Sequence, residues 1–133
     1  ILRWDGTDFC ATLDIRYPIL CDHEALTAAL TAAIGESITV KVDSQTEPHH
    51  VAPNSKLVTA LLDAYHEETG LERVCVATGG GTYAKCLEEG VAFGCAFPDD
   101  EDLAHQANEY LSIDGLMKSI RIFANAIVKL AGK

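Results

Sequence analysis

His105 opens the run His105-Gln106-Ala107-Asn108-Glu109-Tyr110, and an imidazole held in a polar loop of this kind is well suited to bind a divalent metal ion. A zinc centre needs about four ligands, and only scattered carboxylates accompany this one, so a solvated loop histidine is the alternative reading. Arg16 follows Thr12 and Asp14 on one side of an alternating segment. Its planar guanidinium can grip a carboxylate through two parallel hydrogen bonds, a geometry that lysine cannot reproduce. An ion pair with Asp14, or one across a strand, accounts for the same residue without any ligand. Gly79-Gly80-Gly81-Thr82 follows a short apolar run, where backbone N–H groups can approach an anion closely and a following helix would add partial positive charge. The segment through Lys85 fits neither G-x-x-x-x-G-K-[ST] nor G-x-G-x-x-G, so nucleotide phosphate is not indicated and a tight strand-to-helix turn competes. The acidic run Asp99 to Asp102 reads as solvated surface. His49 and His50 fall in a linker, and His23 and His66 fall on helices as surface or satisfied residues.

These residues need elements to hold them. Asp5-Gly6 between apolar stretches signals a hairpin, with Ile1 to Trp4 as the tail of a strand whose beginning is absent, which predicts a truncated chain. Phe9, Ala11, Leu13, Ile15 and Tyr17 alternate with polar neighbours as a half-buried strand that Pro18 ends. Asp22 caps a helix with Leu26, Ala29, Leu30, Ala33 and Ile34 at helical spacing and Gly35 beyond it. Ile38, Val40 and Val42 predict a further strand, so residues 1–47 read as strand, strand, helix, strand, half of a ferredoxin-like sandwich. Residues 44–55, with two prolines and two histidines, read as a crossing between two units, and the second unit is taken as 48–133. There a helix from Leu57 stops at Gly70, and Val74 to Ala77 predicts a strand buried on both faces of a parallel sheet. A short helix runs through Glu89, a second apolar strand covers 91–97, and the last helix carries Leu116, Ile120, Phe123, Ile127 and Leu130 on one stripe. The fold class is therefore α/β, with the ligand side at the strand ends.

The composition excludes several functions. Twenty acidic against ten basic residues give a net charge of −10, with no basic cluster to track nucleic acid or an anionic membrane. No apolar run reaches the ~18–20 residues of a membrane span, and no basic stretch followed by a short apolar core marks a signal peptide, which predicts a soluble protein. The 133 residues are 48% hydrophobic, enough for a core in one domain or two small ones. Five cysteines without C-x-x-C spacing point to a reducing cytoplasm rather than a disulfide framework or a cysteine zinc site.

In order and spacing, four motifs together resemble the dinuclear-zinc dipeptidases of the PepV and carnosinase type, within the wider aminoacylase and carboxypeptidase-like metallopeptidases. They are Asp14-Ile15-Arg16-Tyr17-Pro18, Gly79 to Lys85, Gly90-Val91-Ala92-Phe93-Gly94, and His105 to Tyr110. The resemblance covers nearly the whole chain but only the C-terminal third or so of such an enzyme. It implies the second half of a ferredoxin-like lid over 1–47, followed by the C-terminal part of a zinc-binding catalytic domain over 48–133. It also implies that His105 is a zinc ligand, that Arg16 grips the C-terminal carboxylate of a short peptide, and that Gly80, Gly81 and Thr82 line the same pocket.

In that family two zinc ions and a glutamate base activate water. The H-x-D motif, the bridging aspartate and the upstream Glu-Glu pair that the family requires would precede the matched motifs and are not recognised here, so the resemblance implies at most one metal ligand and no catalytic residue in this chain. The expected function is that of a fragment of a zinc dipeptidase, inactive alone, whose partners are a peptide substrate and the missing N-terminal part of the same enzyme. Lys85 stands where an arginine is usual, and Cys95-Ala96-Phe97-Pro98-Asp99 replaces a G-x-x-F-P-G stretch. A second reading is a non-catalytic α/β module that binds a small anion or self-associates through open strand edges.

Overall fold

A computed structural model describes residues 1–94 and 96–132; Cys95 and Lys133 lie outside the described residues. The chain divides into two compact units, Ile1–His49 and His50–Lys133. Among the described residues the architecture is mixed α/β, with a two-stranded antiparallel sheet and three α-helices.

In the first unit, β1 (Leu2–Trp4) pairs with β2 (Phe9–Ala11), with Trp4 opposite Phe9 and Leu2 opposite Ala11. The turn between them forms because Asp5 Oδ1 accepts from the backbone N–H groups of Thr7 and Asp8, at 2.9 and 2.8 Å, while Gly6 takes φ 106°. The strand expected to run to Tyr17 ends at Ala11, and beyond it Ile1 pairs with Thr12 in both directions. Helix α1 (His23–Ile34) starts where Asp22 accepts from Glu24 and Ala25, and ends as Gly35 donates to Thr31 at φ 86°. Leu26, Leu30 and Ile34 are half-buried along one stripe, but no residue of the first unit is fully buried. The strand expected over 38–42 does not form, and Ile38 and Val42 are exposed. A strand is held by ladder bonds to a neighbour, and β1 and β2 pair only with each other. The expected strand, strand, helix, strand sequence is thus reduced to a hairpin and a helix.

The second unit is built on two helices. Ser55 caps α2 (Lys56–Thr69) by accepting from Val58, and Gly70, at φ 72° and ψ 0°, closes it by donating to His66. Ser112 caps α3 (Ile113–Ala131) by accepting from Gly115. Leu61, Ala64 and Ala126 form the centre of their contact, with Leu57, Val91, Phe93 and Leu130 packed around them. The inner face of α3 presents Gly115, Ser119, Ile122 and Ala126, mostly small residues, and Ser119 satisfies its hydroxyl on the Gly115 carbonyl at 2.8 Å. At the rim, Glu67 accepts from Asn125 Nδ2 at 2.9 Å and Lys129 Nζ at 2.8 Å, which ties the two helices together by charge.

Neither expected sheet strand of this unit forms among the described residues. Val74 to Ala77 is exposed rather than buried on both faces, with Val76 91% accessible. In 91–97, where Cys95 lies outside the described residues, Val91, Phe93 and Phe97 are half-buried while Ala92, Gly94 and Ala96 are exposed. That is the side-chain alternation of a strand with one side on the helices. Phe93 meets Phe123 edge-on at 5.5 Å, and Phe97 stacks on Tyr65 at 6.4 Å. The short helix expected through Glu89 is a single 3₁₀ turn, Tyr83–Cys86.

Candidate functional site

Arg16 belongs to the first unit, and Gly80, Gly81, Thr82 and His105 belong to the second. Arg16 uses its fork within its own segment: Nε donates to Asp14 Oδ1 and Nη2 to Asp14 Oδ2, both at 3.0 Å, on an exposed surface. This is the Arg16–Asp14 ion pair that the sequence offers as the alternative to a ligand carboxylate. Nearby, the Tyr17 hydroxyl donates to the Thr46 carbonyl at 3.2 Å, fixing the end of this segment against the stretch after α1.

The glycine segment is fully exposed. Gly79, Gly80 and Gly81 do not take positive φ, so left-handed freedom is not what these positions require. A methyl group at Gly79 would meet nothing within 4 Å, and one at Gly81 would meet only Lys85 Nζ, at 4.0 Å. Absent side chains therefore leave the backbone open to approach, with a lysine ammonium beside it. The helix-start charge expected after the glycines reduces to one 3₁₀ turn, in which Thr82 Oγ1 accepts from Ala84 at 3.3 Å. The Gly80 N–H already donates to Thr78 Oγ1 at 3.1 Å, so the Gly81 N–H, the Thr82 hydroxyl and the Lys85 ammonium are the donors that could meet a small anion.

His105 is exposed and sits in consecutive turns, with Gln106 donating its backbone N–H to Leu103 at 3.0 Å. Its φ is 63°, and Asn108, three residues on, has φ 62°. Left-handed backbone at two non-glycine positions is uncommon, and such departures cluster where a side chain is being aimed for function. The sequence identifies this run by residue type, but its backbone conformation is legible only in the structure. No hydrogen bond joins Gly80, Gly81 or Thr82 to His105 among the described residues.

A zinc centre asks for about four converging ligands. Among the described residues, no group of three His, Cys, Asp or Glu side chains is placed to hold a metal ion. The donor set within these residues does not by itself fit zinc, and His105 is a single candidate ligand rather than a centre. The cysteines Cys10, Cys21, Cys75 and Cys86 are free thiols. No helix among the described residues is long and apolar enough to cross a membrane.

Residues 9–129 match the family model described as peptidase family M20/M25/M40. The chain belongs to this peptidase family. Among curated relatives, it is 38% identical over 119 residues to "Putative dipeptidase YtjP" of Bacillus subtilis, a match covering 90% of this chain and 25% of that protein. It is 35% identical over 130 residues to "Putative dipeptidase SSP1012" of Staphylococcus saprophyticus, covering 95% of this chain and 27% of the relative. A Staphylococcus aureus protein named "Putative dipeptidase SAUSA300_1697" is 36% identical over 119 residues, 89% of this chain and 25% of its own length. The chain thus spans about a quarter of the length of the curated relatives it matches. No solved structure matches it.

Proposed function

We propose that this chain is a segment of a cytoplasmic, zinc-dependent dipeptidase that hydrolyses short peptides with a free C-terminal carboxylate. The carrying observation is the family match over 9–129, together with relatives named as dipeptidases at 35–38% identity. Residues 1–47 correspond in this reading to part of a lid, and 48–133 to part of the catalytic domain. Arg16 receives the substrate carboxylate, for which it must exchange Asp14. In the second unit, Gly81 and, on exchanging Thr78, Gly80 offer backbone N–H groups to the peptide substrate, Thr82 offers its hydroxyl, and Lys85 adds charge beside them. His105 supplies one metal ligand from its left-handed turn, and the other ligands and the general base come from the remainder of the enzyme. The 133 residues alone are inactive on this reading, and free thiols at four cysteines are in keeping with a reducing compartment.

A chimera tests this reading, with residues of this chain replacing the matched stretch of the Bacillus subtilis relative. The expected result is hydrolysis of dipeptides, with His105→Ala removing close to one metal per site and nearly all turnover. A folded chimera whose metal content and activity are unchanged by His105→Ala would reject the assignment of that residue. A folded chimera with no hydrolysis of any dipeptide would reject the activity.

A further inference from the structure

The loop that carries His105 is braced by bonds to which the functional reading gives no role. Its base is Phe97, whose ring stacks on Tyr65 of α2 at 6.4 Å and has Lys118 Nζ of α3 5.3 Å from its centre. Phe97 and Asp100 bond in both directions. Asp100 Oδ2 accepts from the Phe97 N–H at 2.8 Å, and the Phe97 carbonyl accepts from the Asp100 N–H at 3.0 Å. At the far end Ser112 caps α3, and just before it the Tyr110 hydroxyl reaches back to donate to Glu101 Oε2 at 3.3 Å. Asp100 and Glu101 are exposed, as a solvated acidic run would be, yet both carboxylates tie the loop to itself. Compact loops fixed at both ends on one scaffold hold a defined shape and often carry function.

Inside the loop, Gln106 is bonded twice. Its backbone N–H donates to the Leu103 carbonyl at 3.0 Å, and its side-chain Nε2 donates to the Asp102 carbonyl at 2.7 Å. The first bond closes a four-residue turn, Leu103-Ala104-His105-Gln106. His105 is third in that turn with φ 63°, whereas Ala104 does not take positive φ, which is the pattern of a type II turn. The third position of such a turn favours glycine or asparagine, because a β-carbon disfavours left-handed backbone. A histidine there is held against its own preference, and that state persists only where surrounding contacts over-determine it. The Gln106 side chain supplies such a contact, a second rung one residue further back than the bond that closes the turn.

We propose that Gln106 is a positioning residue: its side-chain amide locks the left-handed turn and so fixes the direction in which His105 is presented. The inference rests on the dipeptidase reading for what His105 meets, a divalent metal ion, and on the geometry of the turn for how it is held. A histidine free to relax to negative φ would point elsewhere, and a ligand must be oriented before the ion arrives to bind tightly.

Two replacements separate the donor from the shape of the side chain. Gln106→Met keeps the length and removes the donor, whereas Gln106→Lys returns a donor on a stem of similar reach. Gln106 is exposed, so neither replacement disturbs the core, and the helical signal and melting should stay unchanged. In the 133-residue chain, positive φ at His105 brings its amide proton close to its own Hα and gives a strong NOE between them. That NOE is expected in the unsubstituted chain and in Gln106→Lys, and should weaken about threefold in Gln106→Met as the turn relaxes to negative φ. In the chimera described above, Gln106→Met should weaken zinc binding about ten- to a hundredfold, while Gln106→Lys stays close to the parent. A strong NOE that survives Gln106→Met overturns the proposal, as does its absence from the unsubstituted chain or its loss in both variants alike. Loss of the NOE in Gln106→Met with zinc affinity unchanged in the chimera overturns it too. A chimera that binds no zinc before any substitution counts against the dipeptidase reading alone, and the NOE then decides whether Gln106 holds the turn.

Discussion

The Arg16 fork engaged on Asp14 shows how one local feature serves two readings, because a side chain preorganised for a carboxylate accepts either its neighbour's or a ligand's. In the assembled enzyme, Arg16→Lys keeps the charge and loses the planar pair of donors, so substrate binding should weaken by about 1.5–3 kcal/mol. Peptide amides should reduce that difference; an equal penalty on amide and free acid would exclude Arg16 as the carboxylate clamp. Glu67 offers a test that needs only this chain. Its carboxyl is held below the usual range, chiefly by the Lys129 hydrogen bond and then by Asn125. A carboxylate whose folded pKa is depressed contributes stability above its unfolded pKa, and that contribution is lost as pH falls through the folded value. Thermal melts from neutral to strongly acidic pH should therefore show Glu67→Gln less stable than wild type at neutral pH, with the gap closing in acid. A gap independent of pH would mean that the carboxylate's charge is not what ties the helices.

At the scale of elements, local signals succeed and pairing signals fail. Asp22, Gly35 and Gly70 mark helix ends in the sequence because a cap is an interaction within a few residues, and the structure places helix ends at each of them. The five expected strand stretches depended on neighbours. Only the hairpin, with its partner across a two-hydrogen-bond aspartate turn, brings one along, and β2 is no longer than its register with β1 allows. The candidate site divides the same way: residue types at 16, 80–82 and 105 are readable from the motifs, whereas the Asp14 pairing and the left-handed turn at His105 and Asn108 require coordinates. Two substitutions test the helix pair. Ala64 is fully buried against Ala126 at its centre, so Ala64→Leu should cost about 1–3 kcal/mol by forcing the helices apart. Gly70→Ala meets no steric neighbour but must hold a left-handed φ, and should cost about 1–2 kcal/mol. Denaturant melts of both variants measure these losses; an unchanged midpoint for Ala64→Leu would mean that the two helices do not pack as described.

Across the whole molecule, the two units differ in how much burial supports them. The second has Val58, Leu61, Ala64, Ile122 and Ala126 out of water, whereas the first has no fully buried residue and an exposed Trp4–Phe9 pair as its largest aromatic contact. Local opening costs little where few apolar contacts are lost, so the first unit should open far more often than the second. Cleavage of an opened segment follows the population of the open form when reclosing is fast. Brief trypsin treatment should therefore cut after Arg3, Arg16 and Lys41 well before it cuts after Lys118 and Arg121 in α3. Mass spectrometry of the early digest should find α2 and α3 uncut within their helices, with nicks after Arg73 or Lys85 in the exposed stretch between them. Cutting within α3 at the rate of cutting after Arg16 would show that the helix pair gives no more protection than the hairpin. In that case the residues buried between α2 and α3 would not be what holds the isolated chain together.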